Sequence, residues 1–218
     1  MSLILVQKKT DRFAAIVCDE RARIEDRNGN LLRTEDGHNK LLILRPNLLV
    51  GITGILAPSQ VLRNRLKFFH DNCSDDLDFE RLRDEITKEI RNLFTSFSAA
   101  LSEVHLRAFL GVVLVGVDKQ QKIRTICWSP ASAPDFSAVE FDDDFICLGG
   151  EKATSYAQSL LSLISDPTLD GPESLSNLEW TAQKVSKEYP DWVSPSGFSF
   201  LVCPKQTNVE VAVMPNFC

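Results

Sequence analysis

No apolar run in the 218 residues approaches the roughly 20 that a membrane-spanning helix needs. Basic runs are also missing. With 24 Lys and Arg against 30 Asp and Glu the net charge is −6, so a nucleic-acid partner would gain no electrostatic help. The opening residues, MSLILVQKK, have neither the basic flank nor the cleavage site of a signal peptide. These absences lead us to expect a cytoplasmic chain with no membrane and no nucleic-acid partner. The six cysteines (Cys18, Cys73, Cys127, Cys147, Cys203, Cys218) include no CxxC pair, and His38, His70 and His105 share no ligand spacing. Zinc is therefore not expected, and neither is any other metal or cofactor. No Gly-rich phosphate loop follows any strand, because Gly51-Ile52-Thr53-Gly54 lacks the further glycine and the Lys-Ser/Thr.

What is present is ordinary globular material, 44% hydrophobic and 25% charged, with 10 Gly and 10 Pro. The length suits one large domain or two small ones. Leu3–Val6 and Phe13–Cys18 are short apolar runs joined by the polar stretch 8–12, which reads as a hairpin turn. Asn28-Gly29-Asn30 is the next turn signal. Leu41–Leu44 and Leu48–Ile52 are near-continuous apolar runs, as in strands covered on both faces. A helix is expected around Pro58, with Leu62, Leu66 and Phe69 on one face, and a second over 78–98, where Phe79, Leu82, Ile86, Ile90, Leu93 and Phe97 step by three and four. Strands are expected at 106–117 and 122–128, then a weaker edge pair within 137–148. Helices follow from Gly149-Gly150 and Gly171-Pro172, and strands at 198–202 and 209–213 close the chain. Four cysteines (Cys18, Cys127, Cys147, Cys203) lie in these strand-like runs and read as buried reduced thiols.

Strands, two helices, strands, two helices, strands: this order suggests two packed sheets with a helical layer outside each. Four local motifs then resemble the proteasome β-subunit family and its bacterial relatives. Ile16-Val17-Cys18-Asp19-Glu20-Arg21 is similar to the apolar strand ending in Asp-x-Arg. Lys40, the hairpin Leu41–Ile52 and Gly54-Ile55-Leu56-Ala57 resemble the lysine, hairpin and glycine turn that open the first helix. Phe145–Gly150 resembles the segment that opens the third helix. Asp191-Trp192-Val193-Ser194-Pro195-Ser196-Gly197 resembles Asp-x-x-Ser-Gly with two residues inserted. The resemblance implies an α+β fold, the four-layer αββα sandwich of N-terminal-nucleophile (Ntn) hydrolases. It also implies one domain over residues 1–218 and self-association into a ring or stacked dimer.

Chemically, the resemblance implies a peptide or amide substrate attacked by the side chain of the first mature residue. The free α-amine of that residue takes the proton, since its pKa of roughly 7.7–8.0 lies near working pH. By resemblance Lys40 supports the developing alkoxide, Asp19 holds Lys40, and the Gly54 turn donates to the oxyanion. Asp191 and Ser194 (or Ser196) surround the amine, and Arg21 and Thr53 line the substrate channel. The family begins with Thr, and none lies near the start here. A gapless count back from Asp19 reaches Leu3, and one extra residue in the 8–12 turn makes it Ser2, which removal of Met1 would expose. Gly149-Gly150 replaces a family Ser-Gly, and Pro58 stands where the family often has Asp.

Other readings of the same residues stay open. Asp19 could pair with Arg21 at a strand end, and Lys40 could be a solvated loop lysine. The whole chain could be an inactive β-type subunit kept for assembly or binding. A cysteine hydrolase built on Cys18 or Cys147 has no neighbouring histidine in sequence to support it.

Overall fold

A computed structural model describes residues 3–9, 12–26, 30–73, 77–102, 105–106, 108–130, 135–142, 145–164, 166, 168–204 and 210–214. In chain order the strands are β1 (Leu3–Lys9), β2 (Phe13–Asp19), β3 (Ala22–Glu25), β4 (Leu31–Glu35), β5 (Leu41–Arg45), β6 (Leu48–Gly54), β7 (Leu110–Val117), β8 (Ile123–Trp128), β9 (Val139–Glu140), β10 (Phe145–Gly149), β11 (Gly197–Val202) and β12 (Glu210–Met214). The helices are α1 (Leu56–Asn72), α2 (Phe79–Phe97), α3 (Glu151–Ile164) and α4 (Gly171–Glu188).

Two antiparallel five-stranded sheets, ordered β10-β1-β2-β11-β12 and β5-β6-β7-β8-β9, pack face to face, and β3 pairs with β4 in a separate hairpin. Alternation along the strands builds the layers. Ile4, Val6, Ala14, Ile16 and Cys18 of the first sheet meet Leu41, Leu49, Val113, Val115 and Cys127 of the second. The residues between them, Leu3, Leu5, Ala15 and Val17, face α3 and α4 through Ala153, Ala157, Leu161, Leu178 and Val185. On the far side Leu42, Val50, Ile52, Val112 and Leu114 pack on Leu62, Leu66, Leu82, Ile86 and Ile90 of α1 and α2. This is the αββα sandwich of the Ntn-hydrolase type, and every central strand reads apolar because both of its faces are covered.

Local chemistry sets the helix starts. Asp78 caps α2 by accepting from Arg81 N at 2.8 Å. Asp170 and Glu173 form a reciprocal capping box at α4, with Pro172 in its first turn.

Several expectations need correcting. β7 begins at Leu110, later than the strand start expected at 106. Pro58, by contrast, lies in the first turn of α1 as expected, and the helix opens directly after β6. The weak pair within 137–148 does not pair with itself: β9 extends the second sheet on β8, and β10 extends the first on β1. Two short strands at sheet edges look like a hairpin in sequence because each has only one neighbour. Lys8 and Lys9 continue β1 into the expected turn, and the buried Lys8 ammonium reaches Phe141 O and Asp142 Oδ1, each at 2.9 Å. Cys18 and Cys127 are buried, but Cys147 and Cys203 are only partly so. Among the described residues no helix is long and apolar enough to cross a membrane.

Candidate active site

The site forms where the end of β2 meets the starts of β1 and β5. Asp19 closes β2, and its carboxylate is almost wholly buried. Among the described residues it accepts four hydrogen bonds. Leu3 N (2.7 Å) and Lys40 Nζ (2.5 Å) donate to Oδ1, and Arg21 N (2.9 Å) and Ser194 N (3.0 Å) donate to Oδ2. Lys40 precedes β5 and is also buried, and its ammonium donates a second bond to Arg21 O at 2.7 Å. An ammonium has three N–H donors, and these two acceptors are its partners among the described residues. The sequence alternatives for this pair thus resolve structurally: Lys40 is not a solvated loop lysine, and Asp19 takes the Arg21 backbone rather than its guanidinium.

Arg21 instead forms a two-pronged pair with Asp36, Nε to Oδ1 at 2.7 Å and Nη2 to Oδ2 at 2.6 Å, and Nη1 donates to the Pro190 carbonyl. This clasp joins the end of β2, the segment after β4 and the turn before β11. The guanidinium beside Asp36 holds that carboxyl below its ordinary range, and the same hydrogen bonds raise the Arg21 pKa.

Gly54 ends β6 at φ +120°, and an added Cβ would lie 2.5 Å from Phe109 O. The chain turns there because the next amide, Ile55 N, donates to that same oxygen at 3.0 Å, so α1 starts at once. Thr53, one residue earlier, is buried against Gly111. Gly197 makes the other close approach. It pairs with Asp19 at the start of β11, and a Cβ there would sit 2.1 Å from Cys18 O. That tight contact brings Ser194 onto Asp19.

Of the two serines left open by the sequence, Ser194 is the one that touches Asp19. Ser196 donates to Glu20 Oε2 at 3.0 Å, and the two hydroxyls lie 2.9 Å apart. Asp191 is exposed, and its charge is felt by Arg21. Ser2 lies outside the described residues. The structure thus brings Asp19, Lys40 and Ser194 into direct contact. Asp36 and Glu20 were missed: each belongs to a loop segment with no periodicity, and only the fold reveals their partners. Among the described residues no group of three or more His, Cys, Asp or Glu side chains could hold a metal ion.

Cys18 is fully buried, and desolvation pushes its thiol up to about 12, so no reactive thiolate forms there near neutral pH.

No protein family and no curated protein matches the sequence. Among solved structures, a Gly-1 mutant of Anbu from Hyphomicrobium sp. strain MC1 is similar at a TM-score of 0.75 and 12% identity, over 99% of this chain and 89% of that one. Anbu is a proteasome-like protein of Ntn-hydrolase fold. At that identity the likeness bears on the fold.

Proposed function

We propose that this chain is a proteasome-like N-terminal-nucleophile peptidase or amidase that works as one domain over residues 1–218. Ser2, freed by removal of Met1, is its nucleophile. The observation that carries the reading is the buried Asp19–Lys40 pair with Leu3 N on the same carboxylate oxygen. Leu3 follows Ser2 in the chain, so this contact brings the opening of β1 to the Lys40 corner.

In the reaction the α-amine takes the Ser2 hydroxyl proton as Oγ attacks the amide carbonyl. Lys40 stabilises the alkoxide, and the Gly54 turn donates to the tetrahedral oxyanion. The α-ammonium hands its proton to the amide nitrogen, the C–N bond breaks to leave an ester on Ser2, and the amine half of the substrate departs. Water activated by the same α-amine then hydrolyses the ester. Asp191 and Ser194 hold the terminal amine, while Arg21 and Thr53 border the substrate. Self-association into a ring or stacked dimer in the cytoplasm completes the reading, supported by the proteasome-like fold.

Intact mass of the purified protein, followed by an epoxyketone or β-lactone, tests this. We expect loss of Met1, one adduct on Ser2 and turnover of a fluorogenic peptide amide, and neither adduct nor turnover in Ser2→Ala. The second reading is a non-catalytic β-type assembly module. Gly149-Gly150 favours it, because one hydroxyl of the amine-binding cluster is missing. Retained Met1 with no adduct and no turnover would decide for it.

A further inference from the structure

Arg21 links the two halves of the buried pair through its main chain. Its N–H donates to Asp19 Oδ2 at 2.9 Å, and its carbonyl accepts from Lys40 Nζ at 2.7 Å. Both bonds depend on how the backbone is turned at this one residue, between β2 and β3. The Arg21 side chain holds that turn. Nε and Nη2 meet the two oxygens of Asp36 at 2.7 and 2.6 Å, and Nη1 donates to Pro190 O. All three guanidinium nitrogens are engaged, and a flat fork meets both carboxylate oxygens in one orientation only.

Asp36 stands four residues before Lys40. The segment between them runs beside residues 20 and 21, where His38 N donates to Glu20 O at 3.0 Å. Asn39 Oδ1 then accepts from Leu41 N, the first amide of β5, at 2.8 Å. The clasp therefore closes a ring around the pair, with Asp19 and Arg21 on one arm and Asp36 and Lys40 on the other. The Asp36 side chain is 42% exposed, and an ion pair so open to water adds little to stability. What the site gains is its geometry.

We infer that Asp36 is a positioning residue for the proposed active site: by locking the Arg21 side chain it holds the Arg21 carbonyl on the Lys40 ammonium and so aims that ammonium. For its effect on turnover the inference rests on the hydrolase reading above. A bond to Asp19 alone lets the ammonium swing about one contact, whereas the carbonyl as second acceptor fixes where its charge lies. Without the clasp the Arg21 carbonyl is free to turn to water.

The Lys40 ammonium reads this without turnover. In Ser2→Ala labelled with 15N-lysine, its 1H–15N signal, identified by its loss in Lys40→Met, should exchange slowly with water. Asp36→Asn should shift that signal and speed its exchange about 10- to 100-fold, the range of one charged hydrogen bond. Asp36→Glu keeps a two-pronged carboxylate and should recover part of the protection. Glu35→Gln removes the neighbouring contacts with Arg33 and His38 and should leave the signal in place. With Ser2 present, Asp36→Asn should lower kcat about 10- to 100-fold at nearly constant KM, because Lys40 acts on the developing alkoxide.

A Lys40 signal that exchanges as fast in the parent as in Asp36→Asn overturns the inference, whatever the turnover. An unchanged kcat in an active enzyme overturns it as well, as does an effect confined to KM, which would mean that Arg21 serves substrate binding alone. An Asp36→Glu variant as impaired as Asp36→Asn also counts against it. An altered signal with no turnover in the native sequence keeps the positioning role and removes the hydrolase. Failure of both Asp36 variants to fold would make the clasp structural and overturn the inference.

Discussion

Lys40 Nζ lies 2.5 Å from Asp19 Oδ1, with the two side chains only 7% and 2% exposed. The two partners are not equally placed. Asp19 gathers donors from β1, the loop before β5, its own strand end and the segment before β11, whereas Lys40 depends on one carboxylate and one carbonyl.

Removing each partner should therefore have different consequences. Asp19→Ala strands a buried ammonium and three N–H groups, and we expect it to cost about 3–5 kcal/mol of stability. Lys40→Met leaves the carboxylate three N–H donors, and its cost should be nearer about 1.5–3 kcal/mol, one charged hydrogen bond. Urea unfolding of both variants reads the difference. If Lys40→Met proved the more damaging, Asp19 would not be the hub of this corner.

The Arg21–Asp36 clasp gives an acid-limb prediction. Its hydrogen bonds lower the Asp36 pKa below the ordinary 3.8. A carboxyl depressed in the folded state adds stability that is present above its unfolded value and disappears as pH falls through the folded one. The gap in stability between the native sequence and Asp36→Asn should thus be constant from neutral pH down to near 4, then narrow below it. Because Asp36 is well exposed, the gap should also shrink in high salt. Stability curves measured across that range check it, and a gap that widens toward acid would contradict the clasp.

Much of this fold was readable from spacing alone. The stripe Phe79, Leu82, Ile86, Ile90 and Leu93 placed α2 to within a residue at either end, and the run 48–52 announced a strand buried on both faces, whereas the run 41–44 forms an edge strand that leaves Ile43 exposed. The corner holding the site was less readable. Asp19 and Lys40 stood out only through the resemblance, since a carboxylate and a lysine separated by 21 residues carry no local signal. Asp36 and Glu20 escaped notice because their partners are reached through loop geometry, and the separation of β9 from β10 depends on which sheet each strand joins. Ser194 was distinguished from Ser196 by the close approach of Gly197 to Cys18, which no spacing rule describes.

Thiol chemistry offers a separate check. Cys18 is fully buried with its thiol pushed up to about 12, whereas Cys73 is partly exposed at the end of α1 near the Arg81 guanidinium, 3.5 Å from its sulfur. Iodoacetamide at neutral pH should modify Cys73 readily and reach Cys18 only as the protein unfolds. Peptide mapping after timed labelling gives the order. Any turnover found should survive labelling of the folded protein, and its loss in step with Cys18 modification while circular dichroism shows the fold intact would revive a cysteine nucleophile.

Two glycines separate the strain of a positive φ from the close contact at the proposed oxyanion turn. Gly37 has φ +87° with nothing within 4 Å of an added Cβ, so Gly37→Ala should cost only backbone strain, about 1–2 kcal/mol. Gly54 has φ +120°, and its added Cβ would meet Phe109 O at 2.5 Å and Leu110 Cα at 2.8 Å, both backbone atoms of β7 and its approach. Neither can swing aside as a side-chain tip would, because Phe109 O also accepts from Ile55 N at the start of α1. Gly54→Ala should therefore cost more than Gly37→Ala and loosen the β6–α1 junction, visible as faster amide exchange at Ile55. Equal losses in the two variants would mean that the β7 backbone yields freely, and a turn that soft could not hold an oxyanion donor in place.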